Sequence, residues 1–116
     1  MKNISNVQDF ERLKDTHNIL LAYFSHDKCS VCKVLLPKVK ELIQSDFPRV
    51  LLTYCNIEHA PFLAAQLSIF TVPALVIYVK GKEYVRYTRN IGLNQLAQSI
   101  ARPYGILMEV DNDLLL

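Results

Sequence analysis

The chain has 116 residues, of which 51% are hydrophobic and 21% are charged, values that are typical of one globular domain. Thirteen basic residues stand against eleven acidic ones, so the net charge is only +2 and the basic residues form no dense cluster. A nucleic-acid-binding domain usually carries such a cluster, and we therefore expect no nucleic-acid partner.

The amino terminus and the apolar runs argue against export and against a membrane. The opening segment MKNISNVQDFERLKD places acids and amides where a secretory signal peptide requires an unbroken apolar run. The runs ILLAYF and PALVIYV have the length of strands and fall well short of the roughly 20 residues that cross a bilayer. We expect a cytoplasmic protein with no membrane partner.

Two elements are predicted before residue 25. Ser5 or Asn6 can cap a helix that ends near Asp15, because apolar residues recur through this segment at helical spacing. The apolar run at 18–24 then has the composition of a buried strand.

A second helix is predicted from the segment CSVC to about Ile43, again from the spacing of its apolar residues. Pro37 lies inside this helix and is expected to kink it. A strand is predicted over 49–57, followed by a short helix over 60–69 that Pro61 opens.

The next segment predicts a β-hairpin. The run PALVIYV forms its first strand, and the pair Gly81-Lys82 is a turn signal. The segment EYVRYTR alternates polar and apolar residues, as a half-exposed second strand should.

The last predicted helix covers 94–101, with Asn94 as its cap and with its end before Pro103. Residues 104–116 are rich in apolar side chains, which favours docking, but they are terminal, which favours fraying. The sequence leaves both options open. We therefore assign one domain to 1–103 and a tail of undetermined structure to 104–116.

Helices and strands alternate along most of the chain, and the economical packing for this order is an α/β fold. We expect a mixed sheet with helices on both of its faces. No internal repeat, linker or low-complexity segment interrupts it.

Cys29 and Cys32 lie where a predicted strand gives way to a predicted helix. Free backbone N–H groups and the helix dipole stabilise a thiolate at such a position, and Lys28 and Lys33 add positive charge. Cys29, nearer to the helix end, is the better nucleophile. Cys32, one turn further in, can attack a mixed disulfide formed on Cys29 and release the reduced substrate.

A zinc site is the alternative interpretation of these cysteines. Cys29, Cys32, Cys55 and His59 supply four ligands at spacings that zinc sites use. Cys55, however, lies in an apolar strand, and no glycine follows either cysteine of the pair to let the backbone curl around a metal. We therefore expect no metal, and we interpret Cys55 as a small buried hydrophobic residue.

The order of elements, the segment CSVC at a strand-to-helix junction, Pro37 in that helix and the segment TVPALVIY together resemble the thioredoxin family. The resemblance spans roughly residues 3 to 101. It implies a thioredoxin-like fold, with a central sheet of four or five strands flanked by helices. It also implies that Pro73 follows Val72 through a cis peptide bond, that the Val72 backbone hydrogen-bonds an extended substrate, and that Gly92 adjoins an apolar substrate surface.

The resemblance also implies an activity and its partners. The expected function is thiol–disulfide exchange with protein disulfides through the Cys29/Cys32 dithiol, with no cofactor beyond that pair. The expected reductant is a thioredoxin-reductase-like protein or a low-molecular-weight thiol.

The active-site segment departs from the pattern of thioredoxins proper. Lys28 stands in place of a tryptophan before the first cysteine, and Ser30 and Val31 stand in place of a glycine-proline pair. We expect these three residues to alter the redox balance of the dithiol.

A second departure concerns proton transfer. Tyr23 aligns with the buried aspartate that helps to deprotonate the second cysteine in thioredoxins, and Tyr54 aligns with the lysine beside it. Cys32 then lacks its customary proton acceptor. An alternative function is therefore a redox-sensing or protein-binding module that keeps the fold but does not turn over.

Overall fold

The computed structural model describes the backbone of residues 1–115 and the side chains of residues 1–107. The described chain alternates between strands and helices for most of its length. In chain order the elements are β1 (Lys2–Asn3), α1 (Val7–Thr16), β2 (Ile19–Ser25), α2 (Ser30–Asp46), β3 (Leu51–Asn56), α3 (Pro61–Gln66), β4 (Ala74–Val79), β5 (Lys82–Thr88) and α4 (Leu93–Leu115).

The five described strands form one mixed sheet in the order β1-β3-β2-β4-β5. β3 is parallel to both β1 and β2, whereas β4 is antiparallel to both β2 and β5. Every residue of β2 is buried, as expected for the central strand of a sheet covered on both faces. The predicted α/β fold with a mixed sheet of four or five strands is confirmed.

Each face of the sheet carries a separate apolar core. Side chains of α1 and α3 cover one face, and side chains of α2 and α4 cover the other. Successive residues of a strand point to opposite faces, so β2 serves both cores. Leu20, Ala22 and Phe24 belong to the α1/α3 core, and Ile19, Leu21 and Tyr23 belong to the α2/α4 core.

The sequence did not predict β1, and it placed the hairpin turn one residue too late. β1 consists of only two residues, both of which are exposed. It is a strand because these residues pair with Thr53 and Tyr54 of β3. The turn is formed by Lys80 and Gly81, both with positive φ, because Val79 pairs directly with Lys82. Glycine adopts this conformation without steric cost, which explains its presence at the second position.

The prediction that the last helix is capped by Asn94 and ends before Pro103 was wrong. The helix begins at Leu93, where the carbonyl of Gly92 accepts the Leu96 N–H at 3.0 Å, and it continues through Pro103 to Leu115. A proline inside a helix removes one hydrogen bond and costs about 3 kcal/mol. Tertiary contacts offset this cost.

Those contacts lie at and just beyond the proline. Pro103 itself is buried. The ring of Tyr104 packs edge-on against Phe47, with 5.2 Å between ring centroids, and its hydroxyl accepts the N–H of Arg49 at 3.3 Å. The predicted tail at 104–116 is thus helical as far as Leu115, and the side chains of 108–116 lie outside the described residues.

Within the described part of the chain, no helix combines the length and the apolar character that crossing a membrane requires.

Candidate active site

Cys29 is the N-cap residue of α2. Its backbone is extended, with φ −88° and ψ 98°, and its Sγ accepts the Cys32 N–H at 3.1 Å. A side-chain oxygen of serine or aspartate usually fills this role, so here sulfur occupies the place where a helix offers free N–H donors. The local structure therefore favours negative charge on the Cys29 sulfur whenever the thiol is free.

Cys29 and Cys32 are joined by a disulfide, with 5.2 Å between their Cα atoms. The Cys29 side chain is 9% exposed and that of Cys32 is 1% exposed. A partner that approaches from solvent therefore reaches the Cys29 sulfur first.

A short loop after β2 leads into this position. The Cys29 N–H donates to the carbonyl of His26 at 3.3 Å, and the Lys28 N–H donates to His26 Nδ1 at 3.2 Å. Lys28 and Lys33, which flank the pair in sequence, are exposed. The charged groups nearest to the cysteines along the chain are thus mostly cationic, with Asp27 as the acidic exception.

Tyr23 lies beneath the first turn of α2. Its side chain is fully buried, and its hydroxyl donates to the Cys32 carbonyl at 2.7 Å. Its ring stacks on that of Tyr54, with 6.1 Å between centroids and 16° between planes. An uncharged tyrosine pair thus occupies the place that the sequence comparison assigned to an aspartate and a lysine.

The Tyr23 hydroxyl cannot accept a proton at neutral pH. Burial, with a smaller electrostatic contribution from Tyr54, raises its pKa to about 12. The hydroxyl is therefore a permanent donor that holds the Cys32 carbonyl, and it is no substitute for a buried carboxylate.

Val72 and Pro73 lie at the same end of the sheet as the dithiol. Their peptide bond is cis, Pro73 is buried and Val72 is half-buried. β4 begins directly after them, and Ala74 pairs with Phe24 near the end of β2, from which the loop leads to Cys29. Val72 also packs against the apolar core that contains both cysteines.

The structure brings Ser30, Val31 and Gly92 to one open groove of about 790 Å³, which lies between α2 and the loop from β5 to α4. Val72 and Pro73 do not line it. Val34, Lys38 and Arg89 do line it, and the sequence analysis missed all three. Val34 and Lys38 follow Ser30 at helical spacing, so a helical projection of α2 would have found them, whereas the position of Arg89 opposite α2 depends on tertiary packing.

The proposed zinc ligands do not form a site in the part of the chain that the structure describes. Cys55 lies in β3 and belongs to the core opposite to that of Cys29 and Cys32. His59 lies near Asp27, with 3.9 Å between Nε2 and Oδ2. Among the described residues no cluster of three or more histidine, cysteine or acidic side chains could hold a metal ion.

A family model described as Thioredoxin matches residues 2–102, which is most of the chain. The chain belongs to the thioredoxin family. Together with the CxxC pair, this membership supports thiol–disulfide oxidoreductase chemistry in general.

Two curated relatives illustrate the sequence similarity. The chain is 29% identical to the thioredoxin-like protein YdfQ of Bacillus subtilis over 104 residues, which are 90% of this chain and 92% of that protein. It is 32% identical to a thioredoxin of Chlamydia trachomatis over 75 residues, which are 65% of this chain and 69% of that protein.

Solved structures of thioredoxins share the fold of this thioredoxin-family chain. A mutant thioredoxin from Halobacterium salinarum superposes with a TM-score of 0.81 at 18% identity and covers 89% of each chain. A thioredoxin from Fasciola hepatica superposes with a TM-score of 0.79 at 24% identity over 88% of this chain and 98% of that one. At such identities the likeness concerns the fold alone.

Proposed function

We propose that this protein reduces or exchanges protein disulfides by using Cys29 as nucleophile and Cys32 as resolving thiol. The position of Cys29 carries the proposal. Its sulfur caps the amino end of α2, is the more exposed of the pair and forms a disulfide with Cys32 one helical turn away. That single geometry supplies both a stabilised thiolate and a partner thiol within reach.

The reaction begins with the reduced pair. The Cys29 thiolate attacks one sulfur of a substrate disulfide, which forms a mixed disulfide and releases the other substrate sulfur as a thiolate. Cys32 then attacks Cys29 Sγ, forms the Cys29–Cys32 disulfide and releases the second substrate thiol. Two electrons pass from the protein to the substrate, and a reductant must restore the dithiol.

The second step requires Cys32 to lose its proton. The Tyr23 hydroxyl cannot take it, since its pKa of about 12 keeps it protonated. The proton therefore passes to water or to the loop residues His26 and Asp27, which are more exposed than the cysteines. Resolution is the slower step in this proposal, because its proton acceptor is not buried beside Cys32.

Substrate contacts come from Val72 and Gly92 in this proposal. The backbone of Val72, ahead of Pro73, hydrogen-bonds an extended segment of the substrate, and Gly92 leaves room for it on the adjoining surface. Lys28, Ser30 and Val31 modulate the redox balance. The partners are protein disulfides and a thioredoxin-reductase-like or low-molecular-weight thiol reductant, the location is the cytoplasm, and the dithiol needs no further cofactor.

A second candidate is a redox-sensing or binding module that does not turn over. The stacked pair of the buried Tyr23 and the half-buried Tyr54 favours it, because neither side chain provides the charged acceptor that rapid resolution uses. Such a module oxidises once and then stays oxidised, so the number of turnovers separates the two functions.

The test is reduction of insulin disulfides with dithiothreitol as the reductant. We expect many turnovers per molecule, and we expect Cys29→Ser to lower the rate by about 10³-fold or more because the nucleophile is lost. Cys32→Ser should form the mixed disulfide but stop there. Cys55→Ala is the matched control, since it removes one thiol from the opposite core.

The outcome that contradicts the proposal is a wild-type rate no higher than that of Cys29→Ser. One oxidation per molecule, followed by no further reaction, would instead establish the sensing or binding module.

A further inference from the structure

The groove beside the dithiol, which Gly92 lines, also has an apolar surface of valine and isoleucine side chains. Val31 and Val34 project from α2 with exposed fractions of 59% and 62%, which is unusual for valine side chains in a small domain. Ile91 faces them from the loop between β5 and α4. An apolar side chain of a partner would bury this surface.

Cationic side chains stand on both sides of the same groove. Lys38 lies on the α2 wall and Arg89 on the loop wall, and both are exposed. None of the ten described lining residues is acidic, and neither Lys38 nor Arg89 forms an ion pair with another described residue. The groove therefore attracts negative charge.

The groove begins beside the two residues that separate the cysteines and extends along α2. Ser30 and Val31 lie between the two cysteines in sequence, and Lys38 lies eight positions after Ser30. At about 1.5 Å per helical residue this separation is roughly 12 Å along the helix axis. An extended peptide covers that distance in three to four residues, since each of its residues spans about 3.3 Å.

We propose that the groove selects disulfide partners that carry a carboxylate three or four residues from the reacting cysteine, with an apolar side chain between them. The proposal rests on the proposed function, because the cysteine of the partner must be joined to Cys29. The apolar side chain packs between Val31, Val34 and Ile91, and the carboxylate pairs with Lys38 and Arg89. The preference for a carboxylate thus comes from Lys38 and Arg89, which lie outside the CxxC segment.

The expected preference is moderate and depends on salt. An exposed ion pair changes an equilibrium by about 1.4- to 5-fold, and here one carboxylate meets two cations. We expect about a fivefold preference at low ionic strength. It should shrink in 0.5 M salt, because the charges are exposed and therefore screened.

The test uses short apolar peptides with one cysteine, each joined to its own copy by a disulfide. The peptides form two pairs, and the members of each pair differ only in having glutamate or glutamine at one position. That position is the fourth residue before the cysteine in one pair and the fourth residue after it in the other. The rate constant for reduction by the reduced protein is measured for each. Fluorescence anisotropy with copies in which serine replaces cysteine measures binding without thiol exchange.

Two sets of variants locate the effect. Lys38→Gln/Arg89→Gln neutralises the groove, and Lys38→Glu/Arg89→Glu reverses its charge. Lys2→Glu/Lys82→Glu is the control for the reversed variant, because it makes the same change in net charge at exposed residues of β1 and β5. Lys82 lies next to the hairpin turn, at the end of β4 that is opposite to Pro73.

We expect the glutamate peptide of one pair to react about fivefold faster than its glutamine partner. The preference should vanish in the neutral variant, invert in the reversed variant and persist in the control. Equal rates for glutamate and glutamine in both pairs would overturn the inference, while the reduction itself would uphold the proposed function. Charge-selective binding without any reduction would overturn the proposed function and leave the groove as a binding site.

Discussion

Cys29 and Cys55 are buried on opposite faces of the same sheet, and the groups that face their two sulfur atoms differ in polarity. Cys55 lies inside strand β3, is 4% exposed and has apolar neighbours in the α1/α3 core. Burial there raises the pKa of its thiol to about 11. Cys29 caps a helix, and its sulfur accepts a backbone N–H.

Exposure alone does not separate these two cysteines, since 9% and 4% are similar values. What separates them is the polarity of the groups that face the sulfur. A thiolate is stabilised by N–H donors and by the end of a helix dipole, and it is destabilised by apolar surroundings. The first two predictions below test this difference, and the other two test Tyr23 on the buried side of the dithiol; they run from the largest expected effect to the smallest.

Alkylation of the fully reduced protein should modify Cys29 at least about 10²-fold faster than Cys55 at pH 7. With a pKa of about 11, Cys55 is ionised in roughly one molecule in 10⁴, whereas a thiol of ordinary pKa 8.5 is ionised in roughly three in 100. Iodoacetamide labelling followed by peptide mass spectrometry measures both rates. Equal labelling in the folded protein would show that the two environments do not differ as described.

Replacement of Cys55 by serine should lower the free energy of unfolding by about 1–3 kcal/mol, because it places a hydroxyl among apolar side chains. Replacement by alanine keeps the site apolar and is the matched comparison, so it should cost less than serine. Urea unfolding of the two variants measures the difference. A serine variant as stable as the alanine variant would mean that the hydroxyl finds a polar partner.

Tyr23→Asp should accelerate release of substrate from the mixed disulfide by about three- to tenfold, because a carboxylate beside Cys32 can accept its proton. The loss of a fully buried ring will also destabilise the protein by about 3 kcal/mol or more. Release is therefore measured in a single turnover at a temperature where circular dichroism shows the variant to be folded.

Tyr23→Phe is the control for this experiment. It removes the hydrogen bond to the Cys32 carbonyl but supplies no base, so release should not accelerate. If both variants release substrate faster by the same factor, then loosening of α2 and not proton transfer is the cause.

Tyr23 should also make stability fall as the pH rises above about 10. Its pKa is about 12 in the folded protein and about 10 in the unfolded chain, so only the unfolded chain ionises between these values. Its stabilising contribution is thus complete below pH 10 and is lost as the pH rises towards 12. Urea unfolding between pH 9 and pH 11 measures the slope.

Tyr23→Phe should reduce that slope. A slope that Tyr23→Phe leaves unchanged would show that Tyr23 ionises in the folded protein as it does in the unfolded chain.

Local sequence signals predicted the elements around the dithiol well. The buried run at 18–24, the helical spacing after CSVC and the apolar run before the hairpin all correspond to β2, α2 and β4 within a few residues. These elements depend on periodicity and on turn residues, which neighbours in sequence determine. The place of Cys29 at the start of α2 follows from the same signals.

Other features depended on residues far apart in the chain. β1 exists because β3 offers a free edge, and α4 continues past Pro103 because Tyr104 meets Phe47 and Arg49. The groove forms because α2 and the β5–α4 loop face each other in the folded chain. The roles proposed for Lys38 and Arg89 could therefore not be predicted from either segment alone.

By itself the sequence determined the alternation of helices and strands, the position of the two cysteines at a helix end and the absence of an acid at Tyr23. Each of these follows from residue type and spacing. Only the tertiary structure decided that Cys55 lies on the opposite face, that the Tyr23 hydroxyl holds the Cys32 carbonyl and that a cationic groove opens beside the dithiol. The burial of an atom and the electrostatic potential at that atom depend on all of its neighbours. The packing of the sheet brings these neighbours together from distant parts of the chain.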